Sequence, residues 1–229
     1  ATPGKVVDLV RNLGIAAGGT VMEDCRVLEA CREGKYTSVL VQTHDKKYVE
    51  YRTEHFVNAL GSGAGKLCDS MGIDAGLYPV RHQAFITRRL PMLGKHGTNL
   101  DMLIDRQDYK GFSAVYGQQI AYTGQIIGCA SPKLDAMRID KNLKVNTKAF
   151  LEIVSEMFSE WIPDLAGVGI QAVWAGYYTE PRYIVDPELG LFVGMRGHGF
   201  MLSQYIARMY VDKLLGRPVP EYFEKLSDV

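Results

Sequence analysis

The sequence predicts a mixed α/β (α+β) fold: a partial parallel sheet with a β-meander, joined to a separate antiparallel sheet. Three observations predict it. Short β-type runs divided by turn residues occupy positions 20–52, and a second set occupies 79–123. Two apolar runs, at 55–60 and 189–193, each open into glycines and then a helical pattern, as βα units of a parallel sheet do. Long segments at 3–17, 147–161 and 199–215 carry apolar residues at helical spacing.

Each element follows in order. Val6, Val7, Leu9, Val10 and Leu13 form one apolar stripe, Pro3 suits a first helical turn, and Gly18-Gly19 stops the helix. The runs TVME, RVLEAC, YTSVLVQTH and KYVEYR then read as a meander, with turns at Glu33-Gly34-Lys35 and Asp45-Lys46-Lys47. HFVNAL reads as a compact strand, and Gly61, Gly63 and Gly65 lead into a helix over Lys66–Met71. After Pro79, the runs PVRHQAFITR, LDMLIDR, FSAVYG and QIAYTGQIIG predict an antiparallel sheet. Thr147 suits the cap of an amphipathic helix whose stripe is Phe150, Ile153, Val154, Met157, Phe158 and Trp161. Strands follow over 169–178, 183–185 and 189–193. The last long helix starts at Gly199 and is ended by Gly216 and Pro218.

Composition narrows the function. The 229 residues carry 26 basic and 26 acidic side chains, which argues against nucleic acid and anionic membrane as partners. No run approaches the roughly 18 apolar residues of a membrane span. Cys25, Cys31, Cys68 and Cys129 are scattered without a C-x-x-C, so neither a metal site nor a disulfide framework is predicted, and a cytoplasmic location is expected. The chain opens Ala-Thr-Pro-Gly rather than with Met, and reads as processed or as part of something longer.

The stretch GLFVGMRGHGFMLSQYIARMY, residues 190–210, strips side chains from the mouth of a helix. Helix starts expose unpaired N–H groups and partial positive charge, and glycines let a ligand approach them. Gly197-His198-Gly199-Phe200 is therefore either a seat for an anionic or electron-rich group or a tight turn. The second strand–glycine–helix junction, at 58–63, points to one extended ligand lying across both, as dinucleotides do. A GxGxxG fingerprint is missing.

These motifs resemble the D-amino acid oxidase and sarcosine oxidase (glycine oxidase-like) family of FAD-dependent oxidoreductases. FVNALGSGAGKL is similar to that family's VVNAAGAW turn, GLYPVRHQ to its PVRGQ segment, and GLFVGMRGHGFMLS to its closing GHGF motif. The resemblance covers nearly the whole chain. It implies a partial FAD-binding, Rossmann-like domain at 1–77, an antiparallel substrate domain at 78–185 roofing the flavin, and a return to the FAD-binding domain at 186–229. It implies that Gly197, His198, Gly199, Phe200 and Met201 lie at the flavin ring. Ala59, Leu60 and Gly61 would lie near the ribityl-pyrophosphate, and Val27 at the adenine. The activity implied is oxidation of the C–N bond of an amine or amino acid of sarcosine, glycine or D-amino acid type.

The departures matter too. The family's N-terminal GxGxxG unit is absent, so a missing N-terminal segment or a partner subunit is expected to complete the sheet, with an oligomer as one form of that completion. No Cys lies in Val173–Tyr178, so FAD is expected to be non-covalent. Tyr177 and Tyr178 stand where many members carry a carboxylate-binding Arg, and Met201 stands where the sarcosine-oxidising branch often has Lys. Candidate catalytic residues are Arg182 and Arg106 as carboxylate forks, Tyr178 facing substrate, and His198 as a base. Arg182 also reads as a surface partner of Glu180 or Asp186. Arg81 and His82 read either as structural anchors, the favoured reading, or as lining the flavin, Trp161 reads as core, and Lys141, Lys144 and Lys148 as a solvated face. Tyr109, Tyr116, Tyr122, Tyr177 and Tyr178 read as core or rim residues, with one or two of them facing substrate. The rival functions are a non-catalytic subunit or fragment and FAD-dependent oxidation of a 2-hydroxy acid.

Overall fold

The computed structural model describes residues 2–94, 97, 99–107, 112–132, 147–180 and 183–227. In chain order the elements are α1 (Pro3–Ala16), β1 (Arg26–Glu33), β2 (Tyr36–Gln42), β3 (Tyr48–Thr53), α2 (Ala64–Ser70), β4 (Tyr78–Thr87), β5 (Leu103–Asp105), β6 (Phe112–Ile120), β7 (Gln125–Pro132), α3 (Thr147–Trp161), β8 (Ile170–Glu180), β9 (Ile184–Asp186), β10 (Leu191–Val193), α4 (Gly199–Leu214) and α5 (Glu221–Glu224). The chain divides into two compact units, residues 1–77 with 179–229, and residues 78–178.

The first unit is built on the antiparallel meander β1–β2–β3. Gly34, at φ 65°, makes the tight turn between β1 and β2. Val39 and Val41 of β2 and Ala30 of β1 bury against Leu67 of α2. Ser70 at the end of α2 reaches back to Ala30, accepting from its N–H at 3.2 Å and donating to its carbonyl at 3.4 Å. The β9–β10 hairpin carries Ile184, Leu191 and Val193 into a cluster with Ala64 and Cys68. Its turn is held by Asp186, whose Oδ1 accepts the N–H groups of Glu188 and Leu189 at 2.7 and 2.9 Å. Val185 joins Ile206, Met209 and Tyr210 of α4 and Phe223 of α5 in a third cluster.

The second unit is a five-stranded sheet in the order β5–β6–β7–β4–β8. Phe85, Val115, Ile126 and Ala130 pack from the sheet onto Phe150, Ile153, Val154, Met157 and Phe158 of α3. Two glycines permit this packing. A Cβ at Gly117 would lie 3.2 Å from Ile126, and one at Gly128 would lie 2.3 Å from the Tyr116 carbonyl oxygen and 2.5 Å from the Phe85 ring. Trp161 packs against this core and donates its indole N–H to Asp105 Oδ2 at 2.9 Å.

Several sequence expectations change here. TVME at 20–23 forms no strand. HFVNAL forms no strand either; parallel pairing among the described residues is one bridge, Asn58 to Leu191. The reason is local. Asn58 is 1% exposed, donates from Nδ2 to the Ala64 carbonyl at 3.0 Å, and accepts at Oδ1 from Leu60 N–H, so its own side chain bends the chain away after one pair. QIAYTGQIIG is divided by a turn at 121–124, where Gly124 sits at φ 67° and would clash with Leu93 if it carried a Cβ. The strand expected over 189–193 shortens to β10, because Gly190 at φ 70° comes so close to Phe56 that a Cβ would lie 2.5 Å from its carbonyl oxygen. α1 forms as expected, yet none of its residues is buried, and Val7, Leu9, Val10, Leu13 and Ile15 are all exposed. The capping side chain of Thr147, and Tyr109, Lys141, Lys144 and Arg182, lie outside the described residues.

Candidate functional site

Two places carry chemistry, one in each unit. In the first unit, β10 leads through Gly194, at φ 73°, into a 3-10 turn over Arg196–His198 and then into α4. Arg196 itself holds φ 49°, a left-handed conformation that L side chains rarely adopt. Side chains clamp the turn. Arg196 Nε pairs with Glu180 Oε2 at 2.6 Å, and His198 Nδ1 lies 2.7 Å from the Tyr183 hydroxyl. The start of α4 follows directly on this turn and has no side-chain cap. Gly197, His198, Phe200 and Met201 are exposed around it, and Gly199 packs close to Met195.

The other glycine junction is tied to this one. Asn58 N–H donates to the Gly190 carbonyl at 2.8 Å, and Phe192 N–H donates to the Asn58 carbonyl at 3.0 Å. Residues 58 and 191 thus run parallel, and both segments continue into glycines. Ala59, Leu60 and Gly61 are exposed, with Gly61 at φ 55° and open space where a Cβ would be. Val27 is half-buried against the meander core. An uncapped helix start of 16 residues, flanked by exposed glycines, suits a cofactor whose electron-rich edge meets backbone amides.

In the second unit, the sheet face turned away from α3 holds a hollow of about 280 Å3. Its walls come from alternate residues of four strands: His82 and Ala84 of β4, Tyr116 and Gln118 of β6, Ile127 and Cys129 of β7, and Trp174, Gly176 and Tyr178 of β8. His82 stacks on Tyr178 with ring centres 3.9 Å apart. Tyr116, Cys129 and Tyr178 lie together in this lining. Burial depresses the His82 imidazole to about 4, and its Nδ1 is buried without a hydrogen-bond partner among the described residues. Burial pushes the Tyr116 and Tyr178 hydroxyls and the Cys129 thiol up. All four groups are therefore uncharged near neutral pH.

Of the predicted catalytic residues, Tyr178 lines the hollow. Arg106 is exposed beyond β5 and is not part of the lining, and His198 belongs to the glycine turn. The sequence favoured a structural role for His82 over a flavin-lining one and pointed to no site for Cys129 or Trp174. The signal for Trp174 was present in the two-residue spacing of Trp174, Gly176 and Tyr178, which places all three on one face of a strand. Among the described residues no cluster of three or more His, Cys, Asp or Glu side chains could hold a metal ion, and no helix is long and apolar enough to cross a membrane.

A family model described as FAD dependent oxidoreductase (DAO) matches residues 1–213. No match was found among the curated proteins. Solved structures with the same fold include glycine oxidase from Geobacillus kaustophilus, 18% identical with a TM-score of 0.66, over 91% of this chain and 54% of that one. L-proline dehydrogenase from P. horikoshii is 25% identical with a TM-score of 0.62, over 89% and 53%. Iminodiacetate oxidase from a Chelativorans species is 15% identical with a TM-score of 0.65, over 93% and 55%. The chain spans about half the length of these structures.

Proposed function

The chain belongs to the FAD-dependent oxidoreductase (DAO) family, whose cofactor is FAD, and on that premise we propose that it forms part of an enzyme oxidising the C–N bond of an amine or amino acid. The observation that carries this reading is the uncapped start of α4, bared by Gly197 and Gly199. When bound, FAD would supply the hydride acceptor for oxidation of the substrate's C–N bond.

The chain's own groups have the following roles. Gly199, Phe200 and Met201 would hold the flavin ring, their backbone amides stabilising negative charge on it. Gly197 and His198 shape the approach, with the imidazole fixed by Tyr183. Ala59, Leu60 and Gly61 carry the parallel second contact, and Val27 meets the adenine. The cofactor is held non-covalently. Tyr178 orients substrate on the sheet face, and Arg182 or Arg106 meets any carboxylate. The substrate is of sarcosine, glycine or D-amino acid type.

A partner reading is favoured by one observation. Five apolar side chains of α1 and Phe200, Met201, Leu202 and Tyr205 of α4 are exposed. A further segment of chain, a partner subunit or a second copy covers them. The four free cysteines fit a reducing cytoplasm.

The test is an absorbance spectrum from roughly 300 to 550 nm, the flavin region, taken on the purified chain after adding FAD and desalting. Retained flavin bands, weakened when Gly199 is replaced by Val, are the expected result. Absent bands with the chain folded, and absent again with any co-purifying partner, would sink the reading.

A further inference from the structure

His198 stands at the start of α4 as its cap residue, yet its side chain does not cap the helix. It is held from another side. Ile184 of β9 pairs with Val193 of β10, and one step further in the same register brings Tyr183 level with Gly194, at the entrance to the glycine turn. From there the Tyr183 hydroxyl lies 2.7 Å from His198 Nδ1, with the ring centres 6.3 Å apart, an edge contact and not a stack. We infer that Tyr183 is a positioning residue: its hydroxyl donates to Nδ1 and fixes His198 as the Nε2–H tautomer, which makes the imidazole a hydrogen-bond donor to the flavin ring and not a base. The inference rests on the reading that α4 begins at the flavin.

A neutral imidazole has one N–H, and the bond made at one ring nitrogen decides which nitrogen bears it. Between the two possible donors the phenol prevails. Its O–H is more acidic than the N–H of a neutral imidazole, and 2.7 Å suits an O–H donor better than an N–H donor, whose usual length is about 2.9–3.0 Å. Nε2 then carries the hydrogen, on a side chain that is exposed at the head of a 16-residue helix. That end of a helix attracts electron-rich groups, and an Nε2–H beside it adds a donor of the same sense as the backbone amides. The one lone pair left on the ring, at Nδ1, is taken up by the phenol, so none is free to accept a substrate proton. Both partners are anchored. Ile184, next to Tyr183, is fully buried in the β9–β10 cluster, and Glu180, three residues before it, pairs with Arg196 of the turn. The His198 N–H donates to the Met195 carbonyl at 3.0 Å.

The tautomer is read on the flavin-free chain, by two-bond proton–nitrogen NMR of the imidazole at pH about 8.5, where histidine side chains are ordinarily neutral. His198→Gln identifies the His198 signals among those of the five histidines. The expected result is a protonated Nε2 and an unprotonated Nδ1, well separated. In Tyr183→Phe the two move toward a common value as the tautomers mix. FAD affinity is read separately, from the change in flavin fluorescence on titration. Tyr183→Phe and His198→Ala should each raise the Kd by about three- to tenfold, the span of one hydrogen bond. His198→Gln, which keeps an N–H donor at a similar reach, should stay within about threefold of the parent. Tyr183→Phe should cost nothing further once His198 is Ala, because the phenol acts only through the imidazole. Should Tyr183→Phe fold poorly, the tautomer in the unsubstituted chain decides by itself. A protonated Nδ1 would overturn the inference, as would a Kd unmoved by Tyr183→Phe or raised equally in the His198→Ala background. No FAD bound by any variant defeats the proposed function and this inference with it, whereas FAD bound with Nδ1 protonated defeats this inference alone.

Discussion

Replacing Arg196 separates two opposing effects at the glycine turn. Its φ of 49° costs an L residue about 1–2 kcal/mol that glycine does not incur. Its guanidinium, 47% exposed, pairs at 2.6 Å with a Glu180 side chain that is only 16% exposed. A pair open on one side contributes about 0.5–1 kcal/mol. Arg196→Ala loses the pair and keeps the strained backbone, so it is destabilised by about that amount. Arg196→Gly loses the same pair but relieves the strain, offset in part by the roughly 0.4–1 kcal/mol of extra chain entropy that glycine gives the unfolded state. The glycine variant should therefore be more stable than the alanine variant by about 0.5–1 kcal/mol. Urea unfolding with matched m-values reads the difference directly. Glu180→Gln supplies a control: its cost in the native background should vanish once Arg196 is Ala, because the two changes remove one interaction. If alanine equals or exceeds glycine at this position, the turn does not hold a left-handed residue and the reasoning fails.

Two further outcomes follow from the second unit. Gly128→Ala forces a Cβ to 2.3 Å from the Tyr116 carbonyl oxygen and 2.5 Å from the Phe85 ring, so it should lower stability by about 1–3 kcal/mol or more, read as a fall in urea midpoint; an unchanged midpoint would refute that packing. The His82 imidazole titrates at about 4 when folded against an ordinary value of 6.5, so the unfolded chain binds the extra proton between those values. Stability should fall as pH drops from about 6.5 to 4 and flatten below, and His82→Gln should show a smaller fall; equal slopes in both proteins would count against the buried imidazole.

How much of this was legible in the sequence depends on how local each cause is. α3 was readable end to end, because six apolar residues at helical spacing need only one face to pack against. α4 was readable at both ends, through the glycine turn before Gly199 and Gly216 at φ 68°. HFVNAL misled because its hydrophobicity matched a strand while the decisive residue was polar: Asn58 spends its side chain on Ala64 and Leu60. The stripe on α1 was legible as a stripe, but nothing in a period says what covers it. The aromatic hollow was the hardest to see. His82, Tyr116, Cys129 and Trp174 come from four strands, and they meet only through registers such as Ala84 with Cys129 and Tyr116 with Cys129. Register is a property of pairing, which one-dimensional spacing does not encode.

That contrast bears on how such a chain would divide its labour. At the glycine turn the groups offered to a ligand are backbone amides, and the sequence there is constrained mainly by what must be missing: a Cβ at Gly199 would already crowd Met195 at 3.0 Å. On the sheet face the offered groups are side chains, several of them on outward positions beside Phe85, Val115, Ile126, Ala130 and Val173, which pack in the α3 core. An outward side chain can be exchanged without moving the inward one beside it, since successive residues of a strand point to opposite faces. Residues 174, 176 and 178 can therefore change what the hollow accepts while Val173 keeps packing on the core. A backbone-made cofactor seat and a side-chain-made substrate face are then separable under mutation. Substitutions at Trp174 or Tyr178 should alter ligand choice and leave flavin retention alone, and substitutions at Gly199 should do the reverse.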